Sequence, residues 1–190
     1  MKDSVIIEPY SDNWPNLFND LRSEIVTKIG SDIQRIDHIG STAVVGLAAK
    51  PIIDIQISVR DLDNIGTIIS GLASLGYRYR SNNDDLTKKY FREPPGMRRT
   101  HIHVRQAGSW SEQFNLLFRD YLRTHKDDRN KYARVKYELA NQFKDQRERY
   151  VEAKTDIVWE IMKKANIWSQ KIGWKPSDPN RSRNRQLKLP

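Results

Sequence analysis

Two spacings of apolar residues alternate along the chain and divide it into elements. Leu17, Leu21 and Ile25, with Phe18 and Ile29, recur at helical spacing. The run Ser11-Asp12-Asn13-Trp14-Pro15 before them reads as a helix start, with a capping side chain and a proline near the first turn, and Gly30 reads as the stop. Ile33 to Ile39 reads as a short strand. Pro51 to Val59 is the clearest strand in the chain: it is rich in β-branched residues, and its proline stands at the entry, where no ladder hydrogen bond is lost. Residues 62–75 return to helical spacing through Leu62, Ile65, Ile68, Ile69, Leu72 and Leu75, stopped by Gly76. Tyr77 to Arg80 reads as a strand start, and Lys88 to Arg92 and Thr100 to Arg105 as two further strands around Glu93-Pro94-Pro95-Gly96. From about Gly108 to Ile167 the pattern predicts helix, broken at residues 125–128 and near Phe143, with Trp110, Phe114, Leu117, Phe118 and Tyr121 as a core stripe. This order predicts an α+β domain (α/β mixed): a small mixed sheet packed by helices, with a helical C-terminal third.

A chain of 190 residues is long enough for one domain with a hydrophobic core, here 1–168, and a basic, flexible tail is expected over 169–190. The net charge of +9 favours anionic partners. From Lys171 onward six basic side chains face the single acid Asp178, so the tail supplies over half of that surplus and the body is only mildly basic. Nucleic acid is therefore a candidate partner through the tail. No apolar run approaches the roughly 18 residues that cross a bilayer. Met1 to Ile7 lacks the apolar region of a signal peptide. Cysteine is absent, which excludes disulfides, thiolate metal sites and cysteine nucleophiles. A cytoplasmic protein without membrane attachment is expected; the oligomeric state is left open.

Chemistry concentrates between Gly40 and Val59. Side chains alternate across a strand, so Asp54, Gln56 and Ser58 share one face, and Ile53, Ile55, Ile57 and Val59 share the other, buried one. An acid projecting from a sheet near a Gly40-Ser41 turn can hold Mg²⁺ while loop amides and the serine hydroxyl hold phosphate oxygens. A polar strand face at a sheet edge beside a tight glycine turn has the same spacing, and both readings stay open. His101 and His103 point to one face of a predicted strand. With Asp54 from an adjacent strand they would form a two-histidine, one-carboxylate site suited to a transition metal; hydrogen bonds to neighbouring polar groups are the competing reading. Lys50, Arg92, Arg99 and Arg119 are candidate contacts to a phosphate or carboxylate. Arg123 reads as solvent-facing beside Asp120, and Lys136, Arg147 and Lys154 lie on helices of mixed charge that default to solvent. His38 either lines the pocket or supports the turn, and His125 reads as a helix-end cap.

The run His38-Ile39-Gly40-Ser41-Thr42-Ala43-Val44-Val45-Gly46-Leu47, followed by Lys50-Pro51-Ile52-Ile53-Asp54-Ile55, closely resembles the signature of the GrpB family, relatives of the nucleotidyltransferases. The resemblance continues through Arg99 to Val104, Leu117 to Arg123, Tyr132, Lys136, Leu139, Ala140 and Arg149 to Lys154, and covers about residues 5–165. It implies a nucleotidyltransferase-like fold and a Gly-Ser turn followed by an acid-x-acid strand and a third acid on a neighbouring strand, the acids holding two metals. This chain keeps Gly40, Ser41 and Asp54, but Gln56 stands where the second acid belongs, and the strand that would offer the third reads His101-Ile102-His103-Val104. Val45 stands where the family usually has proline.

The resulting candidate site takes Asp54 as catalytic acid and metal ligand, and His101 and His103 as further metal ligands. Gly40, Ser41, Thr42, Lys50, Gln56, Arg99 and Arg119 are its phosphate or substrate contacts. A divalent metal is the expected cofactor, Mg²⁺ or a transition metal if the histidines ligate, and a nucleotide or other small anion the expected substrate of a transferase. The missing second acid motivates a rival: a catalytically silent or repurposed small-molecule binder, amide- or acyl-transfer chemistry included. A P-loop ATPase is excluded because no Gly-x4-Gly-Lys-Ser/Thr run exists, and no Gly-x-Ser-x-Gly hydrolase elbow appears.

Overall fold

The computed structural model describes residues 4–177. Five strands, β1 (Arg35–Ile39), β2 (Ile53–Val59), β3 (Arg78–Tyr79), β4 (Lys89–Arg92) and β5 (Thr100–Gln106), form one sheet in the order β1-β2-β5-β4-β3. The central β2–β5 pair is parallel; the other three pairs are antiparallel. Ile53, Ile55, Ile57 and Val59 of β2 lie on the buried face with Phe91, Ile102 and Val104. Each such side chain is worth about 1.5–3 kcal/mol buried rather than exposed. A one-residue slip would turn all four on β2 outward, so this row fixes the register. Helices α1 (Trp14–Ile29) and α2 (Gly66–Ser74) cover this face with Trp14, Ile25, Ile29, Ile68 and Leu72. Their close approach depends on Gly71, where an added Cβ would stand 2.2 Å from Ile29 Cγ2.

The opposite face is polar and meets α3 (Trp110–Thr124), α4 (Lys126–Gln142), α5 (Arg147–Ala153) and α6 (Thr155–Ile172). Ser109 caps α3 by accepting from Glu112 N at 3.3 Å, while the Glu112 carboxylate reaches back to Gly108 N at 2.6 Å, a capping box displaced by one residue. The same carboxylate accepts from Ser58, and Gln56 accepts from Asn115 Nδ2 at 2.8 Å. Polar side chains of β2 are thus matched one by one to the first two turns of α3. A second core joins Leu117, Tyr121 and Leu122 of α3, Tyr132 of α4 and Ile157, Ile161 and Met162 of α6 to Val44 and Leu47 in the loop after β1. The N-terminal segment crosses the molecule: Glu8 and Ala49 exchange backbone hydrogen bonds at 2.9 Å, and Val5 N donates to Lys144 O at 2.7 Å.

Several boundaries differ from the sequence reading. The second helix begins at Gly66, not 62, because the Asp61 carboxylate accepts from Asp63 N at 2.9 Å and holds a turn there. A third break in the C-terminal helices falls at Lys154. Helix α6 runs to Ile172, past the proposed tail boundary, and Trp174 Nε1 donates to Asp120 at 3.3 Å. Residues 178–190 of the expected tail lie outside the described residues. Trp110 is 66% exposed, since the first turn of α3 projects beyond the second core. No described helix is long and apolar enough to cross a membrane.

Candidate metal and anion site

The first strand delivers the chain into a bend whose conformation only glycine adopts without strain. Gly40 has φ of +71°, and a Cβ there would stand 2.6 Å from Asp54 Oδ2. Ile39 is the antiparallel partner of Asp54, so the carboxylate lies against the backbone of the bend. Residues Ser41–Ala43 then form a single 3₁₀ turn. The Thr42 hydroxyl donates to Ile52 O at 3.0 Å, which leaves its oxygen to accept from His38 Nε2, also at 3.0 Å. Nε2 of His38 therefore carries a proton. Burial pushes His38 down to about 3; the Asp54 charge opposes this, and Arg123 and Arg119 reinforce it.

Helices α3 and α4 grip the same segment by its carbonyls. Arg119 Nη1 donates to His38 O at 3.0 Å, and Arg123 reaches Ala43 O through Nε at 3.0 Å and Nη2 at 2.8 Å. Lys136 donates to Ala48 O and, at 3.0 Å, to Ser41 Oγ.

The parallel register pairs Asp54 with His101 and Gln56 with His103, bringing both imidazoles beside the carboxylate. Asp54 Oδ1 lies 3.0 Å from His101 Nδ1 and 3.6 Å from His103 Nε2, and one donor atom from each residue falls within a 4.8 Å cluster. Burial alone would raise the Asp54 pKa, but hydrogen bonds from His101 and His103 outweigh it and hold the carboxyl well below its usual range. Burial pushes His103 down against the pull of Asp54. The far nitrogens, His101 Nε2 and His103 Nδ1, are buried without a hydrogen-bond partner among the described residues. They are bare lone pairs when both ring protons face Asp54, and they would take up those protons if the near nitrogens bound an ion. The Asp54 side chain is 27% exposed and opens into a cleft of about 370 Å³.

That cleft is cationic. Lys50, Lys136, Arg147 and Lys154 line it against the single carboxylate of Asp54, with Ser41 and Thr42 on the bend side and Tyr150 and Val151 of α5 opposite. Lys136 is 2% exposed; burial, with the Lys154 charge adding, pushes it down to about 7. Burial also lowers Lys154, Asp54 opposing and Arg147 assisting. A bound anion would relieve this crowding of like charge.

Of the residues singled out from sequence, Ser41, Thr42, Lys50, Asp54, His101 and His103 line this one cleft, and Gly40 backs the carboxylate. Three, Gln56, Arg119 and Arg99, do not reach it. Gln56 is fully buried beneath α3, where it donates to Glu112 O at 3.3 Å, so the position of the missing second acid is closed by a helix. Arg119 is buried in a bridge to Asp37 at 3.2 Å and supports the bend from behind. Arg99 lines an adjoining, smaller cavity and meets Glu93 at 2.9 Å. Arg92 also pairs with Glu93, and Arg123 pairs with Asp120 at 3.4 Å, as expected, while also holding the Ala43 carbonyl. Of the three cations read as solvent-facing, Lys136 is buried and Lys154 half-buried at the cleft, while Arg147 is exposed as expected and lines its rim. The sequence held a signal for two of them: Lys136 and Lys154 belong to the stretches that carry the family resemblance.

The chain is 38% identical over 164 residues to UPF0157 protein BH1888 of Halalkalibacterium halodurans, covering 86% of this chain and 83% of that one. Its fold matches the crystal structure of conserved protein GrpB from Enterococcus faecalis with a TM-score of 0.78 at 28% identity, over 86% of this chain and 99% of the other. The structure of the GLD-2/RNP-8 complex matches at a TM-score of 0.50 and 14% identity, over 68% of this chain and 54% of that one, a likeness of fold alone. The nucleotidyltransferase-like α+β fold anticipated from sequence is thus borne out. Residues 4–164 match the family described as GrpB protein, and on this match and the close relative the chain belongs to the GrpB family.

Proposed function

We propose that this protein is a transferase of the nucleotidyltransferase type that binds a phosphate-bearing substrate, a nucleotide foremost, beside one divalent cation in the cleft between β2, β5 and α4–α5. The supporting observation is the convergence of Asp54, His101 and His103 donor atoms within 4.8 Å at the floor of a cation-lined cleft. Donors bound to one ion at about 2.0–2.2 Å stand about 3.0–3.5 Å apart, close to the 3.0 and 3.6 Å separations around Asp54 Oδ1, while the two imidazole donors, within 4.8 Å, would draw together by side-chain rotation on binding. Two imidazoles and a carboxylate suit a transition ion such as Mn²⁺ or Zn²⁺ better than Mg²⁺, which prefers oxygen ligands. Bound there, the ion would supply positive charge to a phosphoryl oxygen. The chain's own residues do the rest. Ser41 Oγ, already oriented by Lys136, donates to a substrate oxygen; Lys50, Arg147 and Lys154 neutralise further negative charge; Tyr150 and Val151 exclude water from one side.

A second reading has its own observation. With Gln56 covered by α3, no second carboxylate flanks Asp54 on β2, which favours a silent, ligand-binding descendant of the fold. Calorimetry and thermal shift with Mn²⁺, Zn²⁺ or Mg²⁺ and a nucleoside triphosphate, on wild type and Asp54→Asn, separate the two. The transferase reading expects metal-dependent nucleotide binding that weakens at least tenfold in Asp54→Asn, and pyrophosphate release with an acceptor present. Binding without release selects the silent reading. No response to metal or nucleotide in either protein overturns both.

A further inference from the structure

The N-terminal segment forms one side of a second, open cavity, of about 150 Å³, beside the main cleft. The two share Lys50, Ile52 and Arg147 as a common wall. Glu8 is fastened to Ala49 by paired backbone hydrogen bonds, so that side is held in place. Arg99 enters this cavity and not the larger one. Its guanidinium is oriented by Glu93, which also accepts from Arg92 and from Thr100 N at 3.1 Å.

Charge and size restrict what this space can take. Three cations, Lys50, Arg99 and Arg147, face one acid, Glu8. The surplus selects an anion, while the Glu8 carboxylate disfavours a dianion relative to a monoanion. The volume equals about five water molecules at ~30 Å³ each, room for a headgroup and a few carbons. Ile6, Pro51 and Ile52 give it an apolar wall that a carbon chain can cover and a hydrated phosphate cannot use. A planar carboxylate also matches the fork of an arginine.

We propose that this cavity is a binding subsite for a small monocarboxylic acid. Its role as the acceptor pocket, next to the donor phosphate in the main cleft, rests on the transferase reading above; the subsite itself does not.

The test uses the full chain without metal or nucleotide. Amide chemical shifts are followed during titration with butyrate and, separately, with inorganic phosphate. Butyrate is expected to shift the amides of Ile6, Glu8 and Ile52 saturably. Arg99→Gln and Ile6→Asp are each expected to weaken it at least fivefold, and Asp54→Asn by less than twofold. Ile6 is 59% exposed, so Ile6→Asp keeps the variant set interpretable if Arg99→Gln perturbs folding. The proposal is overturned if butyrate gives no saturable shift, if Ile6→Asp leaves its affinity unchanged, or if phosphate binds there more tightly than butyrate. Loss of the subsite would leave metal-dependent nucleotide binding intact, whereas failure of the transferase reading would leave butyrate binding intact.

Discussion

His38 shows how a single residue ties the bend to the pH dependence of the fold. Its ring stacks on Phe18 at 4.8 Å between centroids and donates to Thr42, and its burial disfavours the charged form in the native state. The folded pKa of about 3 lies below the ordinary 6.5, and in that window the unfolded chain binds a proton that the folded chain does not. Stability therefore falls as pH falls through the window, by up to about 1.4 kcal/mol per pH unit. Groups facing the ring act in both directions: Asp54 favours its charge, Arg119 and Arg123 oppose it. Urea denaturation between pH 6.5 and 4.5, above most carboxylate titrations, is expected to show this slope in wild type and a shallower one in His38→Gln. Equal slopes would mean the imidazole titrates normally. Sequence offered two roles for His38, pocket lining or support of the turn, and the structure selects support. Lys136 was misread because charge alternation along a helix does not reveal which cation turns inward to find carbonyls.

At the scale of elements, α3 is both the lid over the polar half of β2 and the clamp on the bend. Arg119, buried, joins the helix to Asp37 of β1 and to the His38 carbonyl. Arg119→Met is expected to destabilise the fold by about 3 kcal/mol, since it leaves part of the buried Asp37 charge unpaired, with Arg35 at 2.6 Å limiting the loss. Adding Asp37→Asn should recover part of that cost. A residue that contacted substrate would instead weaken ligand binding and leave the denaturation midpoint unchanged, so equilibrium unfolding beside nucleotide titration decides its role. The helix start near Gly108 was legible from the apolar spacing, but neither its cap by Ser109 nor the second use of Glu112 was. A capping side chain carries no mark in sequence of the strand that meets it.

Among the described residues the two larger apolar cores, one between the sheet and α1–α2 and the other among α3, α4 and α6, are separated by the polar layer on β2, and a third, small cluster joins Val5, Ala140 and Tyr150. That layer is hydrogen-bonded side chain to side chain, so neither half can leave without exposing partnerless buried groups. Ile55→Ala in the first core and Ile161→Ala in the second are each expected to cost about 2–5 kcal/mol. Both should shift one common transition, with far-ultraviolet circular dichroism and tryptophan fluorescence coinciding. A second transition confined to Ile161→Ala would show the helical layer unfolding by itself.

Local pattern alone settled the elements, the buried face of β2 and the short list of reactive residues, because alternation, helical spacing and glycine punctuation are properties of adjacent positions. It could not rank those residues. Strand register brought His101 and His103 to Asp54, helix packing withdrew Gln56 and Arg119 from the cleft, and α4, α5 and the α5–α6 junction added Lys136, Arg147 and Lys154 to Lys50 to make it cationic. Each outcome depends on which distant segment covers which face. That choice belongs to three-dimensional packing, since burial is a property of neighbours in space and not of neighbours in the chain.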